Sequence, residues 1–283
     1  SGKGAEIEIC GLRGGHSGVE IHKQRGNANK LAGRLLCHLR HVAEYALVET
    51  NGGSKDNVIT LANKIKIAAK DLAPLKAAVA EMEAAWKVEF GADEPGLAVK
   101  FTELEDADYQ VMTGASAKKV IAFLVNCPNG VDEYNRSLPG LVETSDNLGV
   151  TETEEGCVRF MVLTRSGTAS KLEEFKEKYR CLANLVGGSY EFNSEYPGWM
   201  FKEQSKIRPI VLDAFEHIYG KCPEVTTIHA GLECGLLSGH KPELDCISFG
   251  PNMIGVHSVE ERLEIASAAR IWEALKEIMK QCK

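Results

Sequence analysis

The sequence lacks what several large classes of protein need. Its nine cysteines are scattered, odd in number and never spaced C-x-x-C, which disfavours both a disulfide framework and a zinc ribbon. Most of them lie in apolar runs, where a free thiol behaves as a small hydrophobe. No apolar run approaches the roughly 20 residues of a membrane-spanning helix, and no basic-then-apolar amino terminus reads as a signal peptide. Basic residues are outnumbered, 33 Lys and Arg against 40 Asp and Glu, for a net charge of -7. Neither nucleic acid nor an anionic membrane is therefore indicated as the main partner. Together these absences point to the reducing cytoplasm. Missing as well are the signatures H-E-x-x-H, G-x-S-x-G and the phosphate-binding G-x-x-x-x-G-K.

What is present is 283 residues, 44% hydrophobic and 26% charged, enough for one large or two ordinary globular domains. Ala5, Ile7 and Ile9 alternate with Glu6 and Glu8, a half-buried strand. Ala28, Leu31, Ala32, Leu35, Leu36 and Leu39 follow at helical spacing, with Asn27 as the cap. Tyr45 to Glu49 and Val58 to Ala68 read as a hairpin, Leu72 to Trp86 as an amphipathic helix, and Leu97 to Phe101 as a strand. The order then repeats: a helix at Val120 to Val125 and a polar loop from Asn129 to Pro139 come first. Strands at Leu141 to Val150 and Val158 to Leu163, a helix from Leu172 to Val186 and a closing strand at Ser189 to Phe192 complete it. Two successive strand-helix-strand-strand-helix-strand units predict an α+β domain with a mostly antiparallel sheet. Past Pro197 the character changes. A helix spans Ile210 to Ile218, and Val225 to His229 and Asp245 to Phe249 read as buried strands of an α/β sheet. Ser258-Val259-Glu260-Glu261 reads as a capping box opening a final helix from Leu263 to Ile278. That tail has too few strands for a sheet of its own.

Two histidines stand out. Gly14-Gly15-His16-Ser17-Gly18 places an imidazole among glycines at a strand-to-helix junction, where the backbone leaves room for another group. A turn with an incidental histidine is the competing reading. A nucleophile elbow is disfavoured, because the spacing is wrong and the serine neighbours its would-be base. His257 closes the glycine- and proline-rich loop Gly250 to Val256. Such loops at a sheet's carboxyl edge hold ligands in α/β folds, and neutral imidazole there suits a metal. A histidine packed on a helix start fits the spacing equally well.

Five blocks carry a resemblance to a known family: Gly14 to Gly18 with Ile21-His22, Gly26-Asn27-Ala28-Asn29-Lys30-Leu31, Gly140 to Ser145, His229 to Gly235, and Gly250-Pro251 with His257-Ser258. In that order they resemble the aminoacylhistidine (Xaa-His) dipeptidases. These belong to the dinuclear zinc peptidases that also include carnosinases, aminoacylases and glutamate carboxypeptidases. The resemblance implies a lid domain over residues 1–197, joined to the C-terminal segment of an α/β catalytic domain over 198–283. It implies two Zn2+ ions per active site and a small unblocked dipeptide as substrate, and it leaves a homodimer open. By resemblance His257 is a zinc ligand, and His16 is the lid histidine that polarises the scissile carbonyl. Arg165 binds the substrate's terminal carboxylate, Asn147 contacts the substrate near it, and Glu233 lies in a substrate-facing loop. A solvated strand-end arginine and a turn asparagine are the plainer readings of Arg165 and Asn147. The family's H-x-D motif, bridging aspartate and Glu-Glu pair have no counterpart here, so the 283 residues alone are expected to be inactive. An aminoacylase-like amide hydrolase, or a non-catalytic dimerisation or ligand-binding module, are the alternative functions.

Overall fold

The computed structural model describes residues 2–136, 138–193, 195, 197–199, 201–226, 233–254 and 261–282. The chain divides into two compact units, Ser1–Glu195 and Tyr196–Lys283.

The first unit carries strands β1 (Lys3–Cys10), β2 (Gly15–His16), β3 (Ala46–Gly52), β4 (Val58–Ile59), β5 (Asn63–Ala69), β6 (Ala98–Glu103), β7 (Gly130–Tyr134), β8 (Val142–Glu154) and β9 (Cys157–Ser166). Its helices are α1 (Ala28–Val42), α2 (Ala73–Phe90), α3 (Gly114–Asn126) and α4 (Ala169–Val186). One sheet runs β6-β1-β5-β3-β8-β7, with β9 also on β8, and every pairing in it is antiparallel. The two sequence halves join where β3 meets β8.

Alternation explains the two faces of the sheet. Ala5, Ile7, Ile9, Ile65, Ile67 and Leu47 point inward and pack with Leu31, Leu35, Leu36 and Leu39 of α1 and with Leu75, Val79 and Trp86 of α2. The intervening Glu6, Glu8, Glu49, Lys64, Lys66 and Lys100 form a charged outer face, with ion pairs Lys64–Glu6, Lys66–Glu49 and Lys100–Glu8. Asn27 caps α1 as its spacing predicts: its side-chain oxygen accepts from the amides of Asn29 (3.0 Å) and Lys30 (3.3 Å). Lys30 in turn donates to the carbonyls of Leu124, Val125 and Cys127, placing a cation where the C-terminal end of α3 is electronegative.

Three sequence expectations for this unit are corrected. Val58 to Ala68 is not one strand, because Val58–Ile59 leaves the sheet to pair with Gly15–His16. The polar stretch Asn129 to Pro139 contains β7, whose Asp132 and Glu133 are paired with Lys178 and Lys171 of α4. Ser189 to Phe192 is not a strand: Tyr190 and Phe192 pack ring to ring at 5.5 Å, and Arg180 of α4 lies over Phe192.

The second unit has α5 (Ile207–Tyr219), α6 (Glu233–His240), the two-residue pair β10 (Met253–Ile254) and β11 (Arg262–Leu263), and α7 (Ile265–Gln281). Val211 and Ala214 of α5 pack with Ile278 of α7 and with Ile247 and Phe249. Asp245 to Phe249 forms no strand. Its first carboxylate accepts from the amides of Lys206 and Ile207 and the Ser205 hydroxyl at the start of α5, and no strand pairs with it among the described residues. The same holds for Val225 and Thr226, while 227–229 lie outside the described residues. So do 258–260 of the expected capping box. Glu264 occupies the N-cap of α7 instead, and Leu263 belongs to β11.

Candidate active site

The loop between β1 and α1 is shaped by glycine. Gly14 (φ +59°) and Gly15 (φ +132°) occupy backbone regions that side chains resist. A Cβ on Gly15 would come within 2.5 Å of the Glu20 and Arg25 side chains, and one on Gly14 within 2.9 Å of the Ile59 carbonyl. That close approach lets Gly15–His16 pair with Val58–Ile59, His16 opposite Val58. The Ser17 amide extends the pairing by donating to the Asn57 carbonyl at 2.9 Å.

His16 is half-buried, and its ring is oriented by backbone. The amides of Gly18 (3.0 Å) and Val19 (3.3 Å) both donate to Nδ1. A nitrogen facing two donors is the unprotonated one, so the ring proton of the neutral imidazole belongs on Nε2. Glu20 braces the same turn. Its carboxylate accepts from the His16 amide (3.0 Å) and pairs with Lys23 (2.9 Å) and Arg25 (3.0 Å), and Arg25 also donates to the Gly14 carbonyl. The Lys23 ammonium, then the His16 amide and Arg25, hold the Glu20 carboxyl down to about 2 against the cost of burial. The two ends of the loop are clamped by buried Glu94, which accepts from the Arg13 amide (2.7 Å) and the Gly26 amide (2.9 Å).

Asn147 and Arg165 reach the same place from β8 and β9. The Asn147 amide donates to the carbonyls of Asp56 (2.6 Å) and Val58 (2.8 Å), its oxygen accepts from Asn27 (3.3 Å), and the residue is 1% exposed. Arg165 lies opposite Ser145 across the β8–β9 ladder. Burial holds its guanidinium below the ordinary arginine value, and the nearby Asp56 charge opposes that. Its Nε has no hydrogen-bond partner among the described residues. Three sequence-predicted residues thus converge on the short segment from Asp56 to Ile59. Both amide hydrogens of Asn147 are thus engaged inside the fold. Glu233 is the exposed first residue of α6, and His257 lies outside the described residues. Among the described residues no three His, Cys, Asp or Glu side chains stand close enough together to hold a metal ion.

No family model matches the chain. It is 34% identical over 278 residues to the cytosol non-specific dipeptidase of Escherichia coli (strain K12), covering 98% of this chain and 57% of that protein. The crystal structure of aminoacylhistidine dipeptidase from Vibrio alginolyticus matches with a TM-score of 0.90 at 36% identity, covering 99% of this chain and 58% of that one. The chain is similar to these two dipeptidases over nearly its whole length. It spans under three fifths of the length of either relative.

Sequence reasoning passed over Glu20, Glu94 and Asp146. Asp146 is 1% exposed and accepts from Thr164 (2.5 Å) and Tyr179 (2.6 Å), directly beside Asn147. Only Glu20 left a signal, four residues after His16 with Lys23 and Arg25 close behind. The other two act across gaps of 18 to 81 residues, which no local pattern reveals.

Proposed function

We propose that the protein to which this chain belongs is a metal-dependent dipeptidase that hydrolyses unblocked dipeptides, Xaa-His among them. The observation that carries this reading is 34% to 36% identity to two dipeptidases across at least 98% of the chain. The metal is proposed to be zinc, two ions per site, with His257 as one ligand; when bound, such ions supply a water activated near neutral pH. The described residues do not by themselves fit a metal centre, so their part is to bind, orient and polarise. A cytosolic location belongs to the same reading, supported by the name of the Escherichia coli relative and by nine unpaired cysteines.

His16 is suited to polarisation. An imidazole fixed with its proton on Nε2 presents a donor whose orientation needs no adjustment when charge develops on a carbonyl oxygen. Arg165 is suited to a terminal carboxylate through two parallel hydrogen bonds, its Nε being without a partner among the described residues. Glu233, at the exposed start of α6, is proposed to face the substrate.

In the whole protein, His16→Ala should lower kcat roughly hundredfold or more, the range for losing an oxyanion donor, with bound metal unchanged by elemental analysis. Loss of metal would instead make His16 a ligand and end the assignment. Arg165→Ala should weaken dipeptides with a free carboxylate and spare their amides; equal loss on both would remove the carboxylate role. The 283-residue chain with added zinc should not turn over a Xaa-His dipeptide above a metal-only control. The two relatives' names differ in substrate breadth, which favours a second reading within the same chemistry: a broad dipeptide preference. A panel varying the C-terminal residue separates the two.

A further inference from the structure

The segment from Asp56 to Ile59 has two sides. Val58–Ile59 is strand, and Asp56 and Asn57 form the turn that leads into it. On one side the Asn57 carbonyl accepts the Ser17 amide, and Val58–Ile59 pairs with Gly15–His16. On the other side the Asp56 and Val58 carbonyls face β8, but among the described residues no strand pairs with them there. The two hydrogens of the Asn147 amide take both carbonyls, at 2.6 and 2.8 Å. A single side chain stands in for the missing neighbour strand. The fit is close on all sides: Gly149 brings β8 so near that a Cβ on it would lie 2.5 Å from Asp56 Cα. Thr60 donates to the Leu148 and Gly149 carbonyls at 3.1 and 2.8 Å. The Asn147 oxygen is held in turn by Asn27, the cap of α1.

We infer that Asn147 is a positioning residue for His16. It fixes the strand against which His16 is laid, and through it the turn whose Gly18 and Val19 amides set the ring's tautomer. This rests on reading His16 as the carbonyl-polarising donor only where catalysis is concerned; the structural linkage stands apart from it. The linkage also crosses the two sequence halves, since a residue of the second half holds a residue of the first.

The test follows the ring rather than turnover. The chain contains eight histidines; with ring 15N labelling, the His16 signal is identified by its loss in His16→Gln. In the unaltered chain Nδ1 should show the unprotonated signature and Nε2 the protonated one, and the Ser17 amide should be protected from exchange. Asn147→Asp keeps the shape but turns an oxygen toward two carbonyls. It should average the ring signature between tautomers and speed Ser17 exchange about tenfold, the scale of one lost hydrogen bond. Leu36→Ala, a core cavity of general destabilising effect, should leave the ring signature intact. An unprotected Ser17 amide in the unaltered chain, an unchanged ring in folded Asn147→Asp, or an equal change in Leu36→Ala overturns the inference. Should Asn147→Asp not fold, Gly149→Ala displaces Asp56 without touching the asparagine and must alter the ring in the same way. In the whole protein, Asn147→Asp should lower kcat with KM and metal content held. A changed ring with unchanged kcat would sink the role given to His16 while leaving the positioning intact.

Discussion

At Asp146 one carboxylate oxygen accepts from Thr164 and Tyr179, while the other is buried without a partner among the described residues. Burial pushes the carboxyl up from 3.8 to about 6, although Thr164 and Tyr179 pull the other way. The folded chain therefore holds this proton more tightly than the unfolded one. The sign follows: the contribution to stability is full below about pH 4 and is lost as pH rises through about 6, a difference of about 3 kcal/mol. Asp146→Asn keeps an acceptor for both hydroxyls and cannot ionise. Urea midpoints from pH 4 to 8 should shift in the variant's favour as pH rises, and parallel curves would refute the assignment. Glu20 has the opposite sign. Its carboxyl is held down to about 2, chiefly by Lys23, so its stabilisation is present above about 4.5 and lost as pH falls toward 2. The His16 amide, which donates to Glu20, should titrate with a midpoint well under 4; a midpoint near 4.5 would mean the brace does not form in solution.

Helices α1 and α3 meet at Gly33, where a Cβ would lie 2.7 Å from Leu124 Cβ and 3.0 Å from the Leu124 carbonyl carbon. Helix propensity alone favours alanine there by about 1 kcal/mol. Overpacking costs about 1–3 kcal/mol, and α3 cannot readily yield because Lys30 of α1 pins its last carbonyls. Gly33→Ala should therefore lower the chain's stability by about 1–2 kcal/mol, read as a reduced Tm; a raised Tm would mean that the two helices separate freely. The same elements show where sequence was informative. β1 and β5 were legible because one face is core and the other water, so Ile7, Ile9, Ile65 and Ile67 alternate with charge. β7 was not, since the partners that neutralise Asp132 and Glu133 come from α4, 38 or more positions later. β8 was legible as a strand, but its burial was not: Thr144, Ser145, Asp146, Asn147 and Thr151 are polar yet nearly fully buried, because neighbours from both sequence halves cover them. His16 was visible through its glycines, which any close backbone approach requires. What clamps its loop, and what holds the strand beside it, left no local pattern because Glu94 and Asn147 lie far along the chain.

The two units differ in how much apolar surface each buries. The first has a continuous core from β1 through α1, α2 and α3 to Leu148 of β8. In the second, among the described residues, Val211, Ala214 and Ile278 form the buried cluster, with partly buried neighbours around them. Along α7, Ile265 (83% exposed), Trp272 (59%) and Met279 (67%) recur every seven residues, a stripe on a single face of the helix. Each large side chain left in water forgoes about 1.5–3 kcal/mol of burial. The second unit is therefore held by little, and its helices should open at much lower free energy than the sheet. Native-state hydrogen exchange on the 283-residue chain tests this directly. Amides of α5 and α7 should exchange through openings several kcal/mol below those of β1 and β5. The apolar dye that reports exposed hydrophobic surface should bind the native chain, and replacing Ile265 and Trp272 by glutamate should reduce that binding without moving the exchange of β1 and β5. A common opening free energy for α7 and the sheet would show instead that the whole chain unfolds as one cooperative body, and the contrast drawn from burial would fail.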